Sequence, residues 1–407
     1  MRHAIAMLCV HTSPLDMPGQ TPDAGGMNVY IRSLARELGQ RQIAVDIFTR
    51  RTDEHLPPIV PLGPRTRVIH VEAGPIARLP KQDLYPYLPQ FCAAVESFRL
   101  SEGLTYDLVH SHYWLSACAG LELARRWGIA HVTMFHTLAR VKLLSDPSSQ
   151  EPPLRAQMEA RVVAEVDRII AATTEERLHL LNLYAASPVR IRVIPCGVDL
   201  RHFAPQDRFK ARQRYQLPFD RPLILFAGRL DPFKGPDMLL QALALMEEQA
   251  EAVIVGGKLR GDRELQRLRR LAASLGLTSR VHFLGALPPC EMPFIYSAVD
   301  VTVVPSCNES FGLAAVESLA CGTPVVATRV GGLAAIVRHG ETGYLVPRCP
   351  SFFAERLDFM LHHPLLLAQM RRAARPSVMR FNWQQIAAQV MGVYAELLSD
   401  TRCLLAQ

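Results

Sequence analysis

Two glutamates separated by seven residues are the feature of this sequence that points most directly to chemistry. Glu309 and Glu317 lie in the segment ESFGLAAVE, which follows a short apolar run, Val299 to Pro305. Such a run predicts a buried strand, and the residues after it predict a helix that starts at about Ser310 or Phe311. The free N–H groups of a helix start attract anions, so they could receive a diphosphate. Glu309 would then accept hydrogen bonds from a sugar, and Glu317, roughly two turns further on, from a ribose.

A second loop supplies positive charge. Arg229 and Lys234 lie in the segment GRLDPFKG, directly after another apolar run. The planar guanidinium and the compact ammonium suit a pyrophosphate bound between them. A basic surface loop is the alternative, but only five of the 45 basic residues are lysines. A lysine at this position is therefore less easily explained by composition.

Two pairs of glycines follow predicted strands at the same kind of position. Gly25 and Gly26 open the first predicted helix, and Gly331 and Gly332 follow a strand in the second half. Glycines at such a junction let the backbone approach an anion, although a plain turn explains them equally well. The loop from His11 to Gly26 is too long for a GxGxxG dinucleotide fingerprint. Hydride transfer is therefore disfavoured.

Short apolar runs alternate with helical patterns from end to end, which is typical of a parallel sheet covered by helices. The predicted strands are Ala4–Val10, Ile43–Thr49, Arg67–Val71, Asp107–His110, His131–Phe135, Arg168–Ala172 and Arg190–Pro195, then Pro222–Ala227, Ala252–Val255, Val281–Leu284, Val299–Pro305, Pro324–Ala327 and Tyr344–Val346. A turn-rich segment, CGVDLRHFAP, separates the two series.

The pattern predicts an α/β protein with two Rossmann-like lobes and a ligand cleft between them, because open α/β sheets bind ligands beyond the carboxyl ends of their strands. We expect a first domain over residues 1–195 and a second over residues 196–378. The last residues, 379–407, predict a helix that packs back on the first domain.

Composition excludes several other classes. The chain has 407 residues, 49% of them hydrophobic, and a net charge of +7 without any run of five basic residues. Nucleic acid is therefore a weak candidate partner. Nine cysteines without a CxxC pair indicate reduced thiols and a cytoplasmic location. The N-terminal run lacks a small-residue cleavage site, and no apolar stretch approaches the ~18 residues of a membrane span.

Taken together, GGMNVY, GRLDPFKG and ESFGLAAVE resemble the family 4 retaining glycosyltransferases, which have the two-lobed GT-B fold. In the first half, HTSPLDMPG, DAGGMNVYI, VDIFTR, HYWLS, FHTLARVK and EPPLR are similar to the members that begin mycothiol biosynthesis. The resemblance implies a GT-B fold and transfer with retention from a nucleotide-diphosphate sugar, UDP-GlcNAc above all. The implied acceptor is a phosphorylated polyol, 1D-myo-inositol 3-phosphate.

The resemblance also implies roles for individual residues. Catalytic roles fall on Arg229, Lys234, Glu309 and His136. Donor contacts fall on Gly25, Gly26, Arg229, Lys234, Glu309, Ser310, Phe311, Gly312, Leu313 and Glu317. Acceptor contacts fall on His11, Asp23, Asn28, Lys81, Tyr113, Thr137 and Arg155, of which the last four would hold a phosphate. Read one at a time, Tyr113 also fits a surface position, and Arg155 the end of a mobile polar loop that starts at Ser145.

Two departures from the family pattern concern fine contacts and metal binding. Met17 stands where the similar sequences have Gln, and Tyr296-Ser297-Ala298-Val299 replaces Tyr-Arg-Ala-Ala in a loop associated with magnesium. No cluster of carboxylates has the spacing of a divalent-cation site. The chemistry itself needs no cofactor, and magnesium binding stays open.

Other readings remain. A sucrose-phosphate synthase would share the chemistry with a different acceptor, whereas a nucleotide-sugar epimerase would need acid–base carboxylates and no acceptor. A solute-binding protein would share the two lobes but need export. A sugar-nucleotide binder without activity is a further alternative, although both glutamates, Arg229 and Lys234 are intact. The expected partners are small molecules, and a homodimer is plausible from base rates alone.

Overall fold

The computed structural model of the protein describes residues 3–17, 23–145, 151–259 and 261–405, with side chains up to residue 399. Residues 18–22, in the first glycine loop, and 146–150, in the polar segment before Arg155, lie outside the described residues. The chain forms two compact units. The first contains Met1–Gly197 and Trp383–Gln407, and the second contains Val198–Asn382.

Within the described residues, the first unit has an eight-stranded sheet in the order β3-β4-β2-β1-β5-β6-β7-β8. All neighbouring strands are parallel except β3 and β4. The strands are β1 (Ala4–Leu8), β2 (Ala44–Arg50), β3 (Ile59–Gly63), β4 (Thr66–Val71), β5 (Leu108–His112), β6 (Ala130–Met134), β7 (Arg168–Ala171) and β8 (Ile191–Val193). The central strands are buried on both faces, which explains why they appear as continuous apolar runs.

Strand β3 is the element of this sheet that the sequence analysis missed. It pairs antiparallel with β4 at the sheet edge, and most of its residues are exposed. Its sequence, IVPLG, is apolar, but a proline within so short a run argues against a strand in the interior of a sheet. Its signal is therefore weak in the sequence.

Helices cover this sheet. They are α1 (Gly26–Gln40), α2 (Leu88–Ser101), α3 (Trp114–Trp127), α4 (Ala139–Ser145), α5 (Pro153–Glu165), α6 (Thr174–Tyr184) and the C-terminal helix α15 (Trp383–Leu405). Helix α15 packs against α1, where the Trp383 and Tyr30 rings meet edge to face at 5.4 Å between centroids. Further along, Tyr394 shares a 2.6 Å hydrogen bond with His110 inside the sheet.

The second unit has a six-stranded parallel sheet among its described residues, in the order β11-β10-β9-β12-β13-β14. The strands are β9 (Leu223–Ala227), β10 (Glu251–Val255), β11 (Val281–Gly285), β12 (Val301–Val304), β13 (Val325–Thr328) and β14 (Gly343–Val346). The helices are α7 (Arg208–Arg214), α8 (Pro236–Leu245), α9 (Arg263–Ser274), α10 (Met292–Ala298), α11 (Leu313–Ala320), α12 (Leu333–Ile336), α13 (Pro350–His362) and α14 (Pro364–Val378).

One boundary near the glutamate pair differs from its prediction. Helix α11 begins at Leu313, two or three residues later than the predicted start at Ser310 or Phe311. The cause is Gly312, whose φ of +106° lies in the region that favours glycine and ends the preceding loop. Ser310 and Phe311 are therefore loop residues. In the part of the chain that is described, no helix combines the length and apolarity needed to cross a membrane.

Substitutions at two glycines, Gly197 and Gly392, test how helix α15 packs. A Cβ atom on Gly197 would meet the Trp383 ring at 2.4 Å, whereas a Cβ on Gly392, within α15, would meet nothing within 4 Å. We expect Gly197→Ala to destabilise the first unit by about 1–3 kcal/mol through overpacking. The matched Gly392→Ala should stabilise it by about 0.5–1 kcal/mol, because alanine is the better helix former. Thermal unfolding of both variants measures this, and equal melting temperatures would contradict the packing described.

Candidate functional site

The predicted acceptor residues of the first unit follow the carboxyl ends of neighbouring strands. His11 follows β1, Tyr113 follows β5 and Thr137 follows β6, while Lys81 begins a one-turn helix, Lys81–Asp83, after β4. Because these strands are parallel, their carboxyl ends lie along one edge of the sheet. Arg155 reaches the same edge from helix α5.

Three of these side chains are in direct contact. The rings of His11 and Tyr113 lie 4.3 Å apart between centroids, and the guanidinium carbon of Arg155 lies 4.9 Å from the Tyr113 centroid. Arg155 also donates hydrogen bonds to the carbonyl and hydroxyl oxygens of Thr137, at 2.9 and 3.0 Å. Tyr113 is buried at the start of α3, and Arg155 is a helix residue. The surface and loop alternatives for these two residues are therefore wrong.

The charge of Arg155 is held by two carboxylates of its own helix region. Its Nε donates to Glu159 at 2.8 Å and one terminal nitrogen donates to Glu151 at 2.7 Å, while its side chain is 3% exposed. Burial alone would lower the pKa of Arg155, but Tyr113 and the two carboxylates outweigh it and raise the pKa. The guanidinium is therefore cationic at any ordinary pH and is compensated before any ligand binds.

A cavity of about 450 Å³ lies beside His11 in the same unit. His11, Asp23 and Lys81 line it, and the Lys81 ammonium lies 2.9 Å from the Asp23 carboxylate. Burial lowers the pKa of His11 to about 3, with Asp23 opposing the shift and Lys81 and Arg155 reinforcing it. His11 is therefore a neutral imidazole at neutral pH and can donate or accept a hydrogen bond.

The cavity also contains residues that the sequence analysis did not select. They are Asp16, Thr49, Arg50, Thr52 and Arg78 among others. Arg50 belongs to the segment VDIFTR, but nothing in its spacing separates it from the 39 other arginines. Its location at the end of β2, beside a strand from another part of the chain, is visible only in the folded structure.

Asn28 and Gly25 join the first loop to helix α1. The Asn28 side chain accepts a hydrogen bond from the Gly25 N–H at 3.1 Å and donates to the Thr12 hydroxyl at 2.9 Å and the Ser13 carbonyl at 2.6 Å. Asn28 thus fixes the helix start, where Gly26 is the first residue. A Cβ on Gly25 would meet nothing within 4 Å, so the packing of this unit does not demand glycine there.

His136 lies in a buried group of histidines that the sequence analysis did not detect as a group. Its Nε2 is 3.0 Å from Nδ1 of His112, and the Tyr30 ring packs against its edge at 5.4 Å between centroids. Burial, reinforced by His11, lowers the pKa of His136 to about 3. The backbone of His136 has a φ of +61°, an uncommon conformation for a residue with a side chain. Because of its lowered pKa, the His136 ring is neutral at neutral pH.

In the second unit, the two loops of the predicted donor site are joined by an ion pair. The Lys234 ammonium lies 2.5 Å from the Glu309 carboxylate, which also accepts a hydrogen bond from Ser306 at 3.2 Å. Arg229, half-exposed, pairs with Asp231 at 3.0 Å. The predicted lysine and carboxylate are thus neighbours, although 75 residues separate them in the sequence.

Glycines allow these loops to approach closely. A Cβ on Gly331 would come within 2.0 Å of the Glu309 carbonyl oxygen, and one on Gly332 within 2.1 Å of the Phe311 carbonyl oxygen. The Gly332 N–H donates to the Glu309 carbonyl at 2.8 Å. The second glycine pair therefore holds the Glu309 loop by backbone contact. The Phe311 ring is buried against Phe381, at 5.5 Å between centroids, so only its backbone is available to a ligand.

Glu317 is partly buried on helix α11, which begins directly after the loop that carries Glu309, Ser310 and Gly312. The Tyr296 hydroxyl donates to its carboxylate at 2.9 Å. Burial raises the pKa of Glu317 to about 7, although the Tyr296 hydrogen bond opposes this shift. The sequence analysis noted Tyr296 only as part of an altered magnesium-associated loop. Among the described residues, no three His, Cys, Asp or Glu side chains lie close enough to hold a metal ion.

Both halves of the chain match models of known protein families. The family model described as Glycosyltransferase Family 4 matches residues 24–202, and the one described as Glycosyl transferases group 1 matches residues 207–377. A protein of Acidothermus cellulolyticus named D-inositol 3-phosphate glycosyltransferase is 45% identical, with 99% of this chain and 92% of the relative covered. A protein of the same name from Thermobifida fusca is 43% identical, over 98% and 94%.

Solved structures of other proteins are similar to this chain over nearly its whole length. Sucrose-phosphate synthase from Thermosynechococcus elongatus has a TM-score of 0.91 at 33% identity, with 98% of this chain and 100% of that chain covered. HepE from Anabaena, in complex with UDP and glucose, has a TM-score of 0.76 at 22% identity, with 97% and 100% covered, and bears on the fold alone. The predicted α/β fold of the GT-B class is confirmed, and the protein is a glycosyltransferase. Both halves of the sequence and its full-length relatives show that the chain belongs to the family 4 glycosyltransferases.

Proposed function

We propose that the protein transfers a sugar from a UDP-sugar to a phosphorylated polyol, with retention of anomeric configuration. The donor that we favour is UDP-GlcNAc, and the acceptor is 1D-myo-inositol 3-phosphate. The name shared by the relatives at 42–45% identity supports this acceptor. The eight cysteines whose side chains are described are free thiols, consistent with a cytoplasmic reaction.

One observation carries the choice of a phosphorylated acceptor. At a single edge of the first sheet, Arg155, Tyr113 and His11 are in contact, and Lys81 lines the cavity that begins at His11. Lys81 and Arg155 both lie close enough to His11 to lower its pKa. Two cations on either flank of the chain of contacts at His11, with the Tyr113 and Thr137 hydroxyls as neutral donors, suit a compact dianion better than an uncharged sugar. We infer that the acceptor phosphate binds Lys81, Tyr113, Thr137 and Arg155, with the polyol ring beside His11, Asp23 and Asn28.

Both acceptor cations are compensated before the acceptor arrives. Lys81 pairs with Asp23, and Arg155 pairs with Glu151 and Glu159. A phosphate carries more charge and more acceptor oxygens than the carboxylate with which it competes. In the proposed complex, the phosphate and Asp23 share the Lys81 ammonium. The phosphate also accepts the hydrogen bonds that Arg155 donates to Thr137 in the free protein. An acceptor without phosphate has no means of competing with these internal pairs.

On the donor side, the leaving diphosphate would bind Arg229, Lys234 and the N–H groups at the start of α11, including those of Gly312 and Leu313. Glu309 would accept hydrogen bonds from the sugar hydroxyls, and Glu317 from the ribose. When a diphosphate is present, Lys234 can contact it while Glu309 turns to the sugar. Their 2.5 Å ion pair would hold both side chains ready in the free protein.

In the proposed reaction, an acceptor hydroxyl attacks C1 of the sugar on the face from which the diphosphate leaves. The C1–O bond to the acceptor forms, the C1–O bond to the diphosphate breaks, and a diphosphate oxygen takes the hydroxyl proton. Positive charge at Arg229 and Lys234 stabilises the charge that develops on the leaving group. His136 is neutral and would contribute a hydrogen bond rather than charge. Substrate groups and side chains of the protein carry out each of these proposed steps.

A sucrose-phosphate synthase activity is the second candidate, favoured by the TM-score of 0.91 to such an enzyme. Incubation with UDP-, GDP- and ADP-sugars, each with inositol 3-phosphate, fructose 6-phosphate or unphosphorylated inositol, separates the candidates by mass spectrometry. We expect a product from UDP-GlcNAc and inositol 3-phosphate, and none from inositol. A product only with fructose 6-phosphate would select the second candidate, and turnover without acceptor would contradict both.

Lys234→Ala tests the diphosphate site. Loss of a group that stabilises the developing charge typically lowers kcat by ~10²-fold or more, so we expect at least this loss. The melting temperature should change little, because the Lys234 side chain is partly exposed. Lys210→Ala, an exposed lysine on α7, is the control and should keep full activity. Wild-type kcat in Lys234→Ala would remove Lys234 from the proposed mechanism.

The raised pKa of Glu317 predicts a pH dependence of donor binding. Because a carboxylate accepts ribose hydrogen bonds better than a carboxylic acid, affinity should rise as pH increases through about 7, where Glu317 loses its proton. Calorimetric titration with UDP-GlcNAc from pH 5.5 to 8.5 measures this, and its diphosphate does not titrate in that range. Glu317→Gln should bind more weakly and lose the inflection. An unchanged inflection in that variant would assign it to another group.

A further inference from the structure

The loop that leads to Lys81 has a buried arginine beneath it. Residues 73–80, called here the acceptor loop, connect the end of β4 to the one-turn helix that Lys81 begins. The last three residues of this loop, Arg78, Leu79 and Pro80, line the cavity together with Lys81. The position of the Lys81 ammonium in the cavity therefore depends on the path of this loop.

Arg50 fixes that path through backbone carbonyls. It is the last residue of β2, lies opposite Val71 of β4, and is 3% exposed. Its guanidinium donates to the Pro75 carbonyl at 2.6 Å and to the Ala77 carbonyl, with a longer contact of 3.5 Å to Ala73. A guanidinium presents several donors in a rigid plane, so one side chain can hold successive carbonyls of one loop.

A second anchor holds only the beginning of the acceptor loop. Gly74 has a φ of +68°, and its N–H donates to the Gln90 side chain at 2.7 Å. A Cβ on Gly74 would meet the Tyr87 ring at 2.5 Å, so this point is closely packed. The part of the loop nearer to the cavity, from Pro75 to Ala77, is held by Arg50.

The charge of Arg50 is also unusual for its location. Within the residues that the structure describes, no carboxylate forms an ion pair with it, whereas Lys81 and Arg78 pair with Asp23 and Asp16 at 2.9 and 3.8 Å. Burial lowers the pKa of Arg50, but an arginine stays protonated under ordinary conditions. Among the described residues, the acceptors that the Arg50 guanidinium contacts are thus the loop carbonyls, so its side chain serves to hold the loop.

We propose that Arg50 is a positioning residue of the acceptor site: by holding the carbonyls of the acceptor loop, it places Lys81 where the phosphate of the acceptor binds. This inference rests on the proposed function. Arg50 acts through Lys81, so removing both side chains costs no more than removing one. Nothing in this role concerns the donor, whose proposed residues lie in the second unit.

The test measures KM for inositol 3-phosphate and for UDP-GlcNAc in Arg50→Met, Arg50→Lys, Lys81→Met and the double variant Arg50→Met/Lys81→Met. We expect Lys81→Met to raise the acceptor KM by about 10- to 100-fold, the loss typical of a charged hydrogen bond. Arg50→Met should raise it by about tenfold or more through misplacement of the loop. Arg50→Lys keeps the positive charge but loses the planar set of guanidinium donors, so we expect an intermediate rise in the acceptor KM. The double variant should match the worse single variant, and the donor KM should stay within twofold throughout.

Arg375→Met is the matched control for a purely structural effect. Arg375 also holds three carbonyls, those of Leu200, Phe203 and Ala320, but it belongs to the second unit, whereas the acceptor loop belongs to the first. We expect a lowered melting temperature in this variant and an unchanged acceptor KM. If Arg50→Met does not fold, Arg50→Lys still decides the question.

The outcomes separate this inference from the proposed function. An unchanged acceptor KM in Lys81→Met would reject the proposed phosphate site itself. A raised KM in Lys81→Met with an unchanged KM in the folded Arg50 variants would reject the role of Arg50 alone. Effects of Arg50→Met and Lys81→Met that multiply in the double variant would also reject it, because the two residues would then act independently.

Discussion

The buried ion pair between Arg155 and Glu159 is the interaction on which the acceptor side of the molecule depends. Glu159 is fully buried, and its carboxylate also accepts hydrogen bonds from the Ala139 N–H and the Tyr184 hydroxyl. It thereby joins α5 to the start of α4 and to the end of α6. Removing Arg155 would leave the Glu159 carboxylate without a cation in the interior, and the loss of a partner from a buried pair typically costs about 3–5 kcal/mol. The position of Arg155 beside Tyr113 follows from this arrangement.

The same physical constraint recurs at the other predicted phosphate ligands. A cation that is to bind phosphate needs a partner while no phosphate is present, and Lys81, Lys234 and Arg229 each pair with a carboxylate of their own unit. These pairs keep long side chains in defined positions. Binding then becomes an exchange of one anionic partner for a stronger one, which favours ligands with phosphate groups over uncharged ones.

Neutral groups fill the space between these charges. Burial depresses the pKa values of His11 and His136 to about 3, so neither ring adds positive charge at neutral pH. Burial raises the pKa of Glu317 instead. The sites thus separate their fixed charges, on arginine and lysine, from histidines that act as hydrogen-bonding groups. This separation is consistent with a reaction in which the leaving group itself accepts the proton.

Much of the fold was predictable because buried parallel strands require continuous apolar runs. The order of strands and helices, the two βα series and the location of motif residues after strand ends all follow from that requirement. The edge strand β3 was missed, since Pro61 within its short apolar run argues against a strand. The start of α11 was misplaced because the conformation of Gly312, and not the apolar pattern, ends the loop before it.

By itself, the sequence determined which residue types stand at the carboxyl ends of which strands, and hence the family and the class of chemistry. The spacing of Arg155 and Glu159, four residues apart, also predicts their pairing, because such residues lie on one face of a helix. Only the tertiary structure decided that Lys81 meets Asp23, that Lys234 meets Glu309, and that Arg50 holds the acceptor loop. These partners are 25 to 75 residues apart, so their contact depends on strand order and register, which local patterns do not encode.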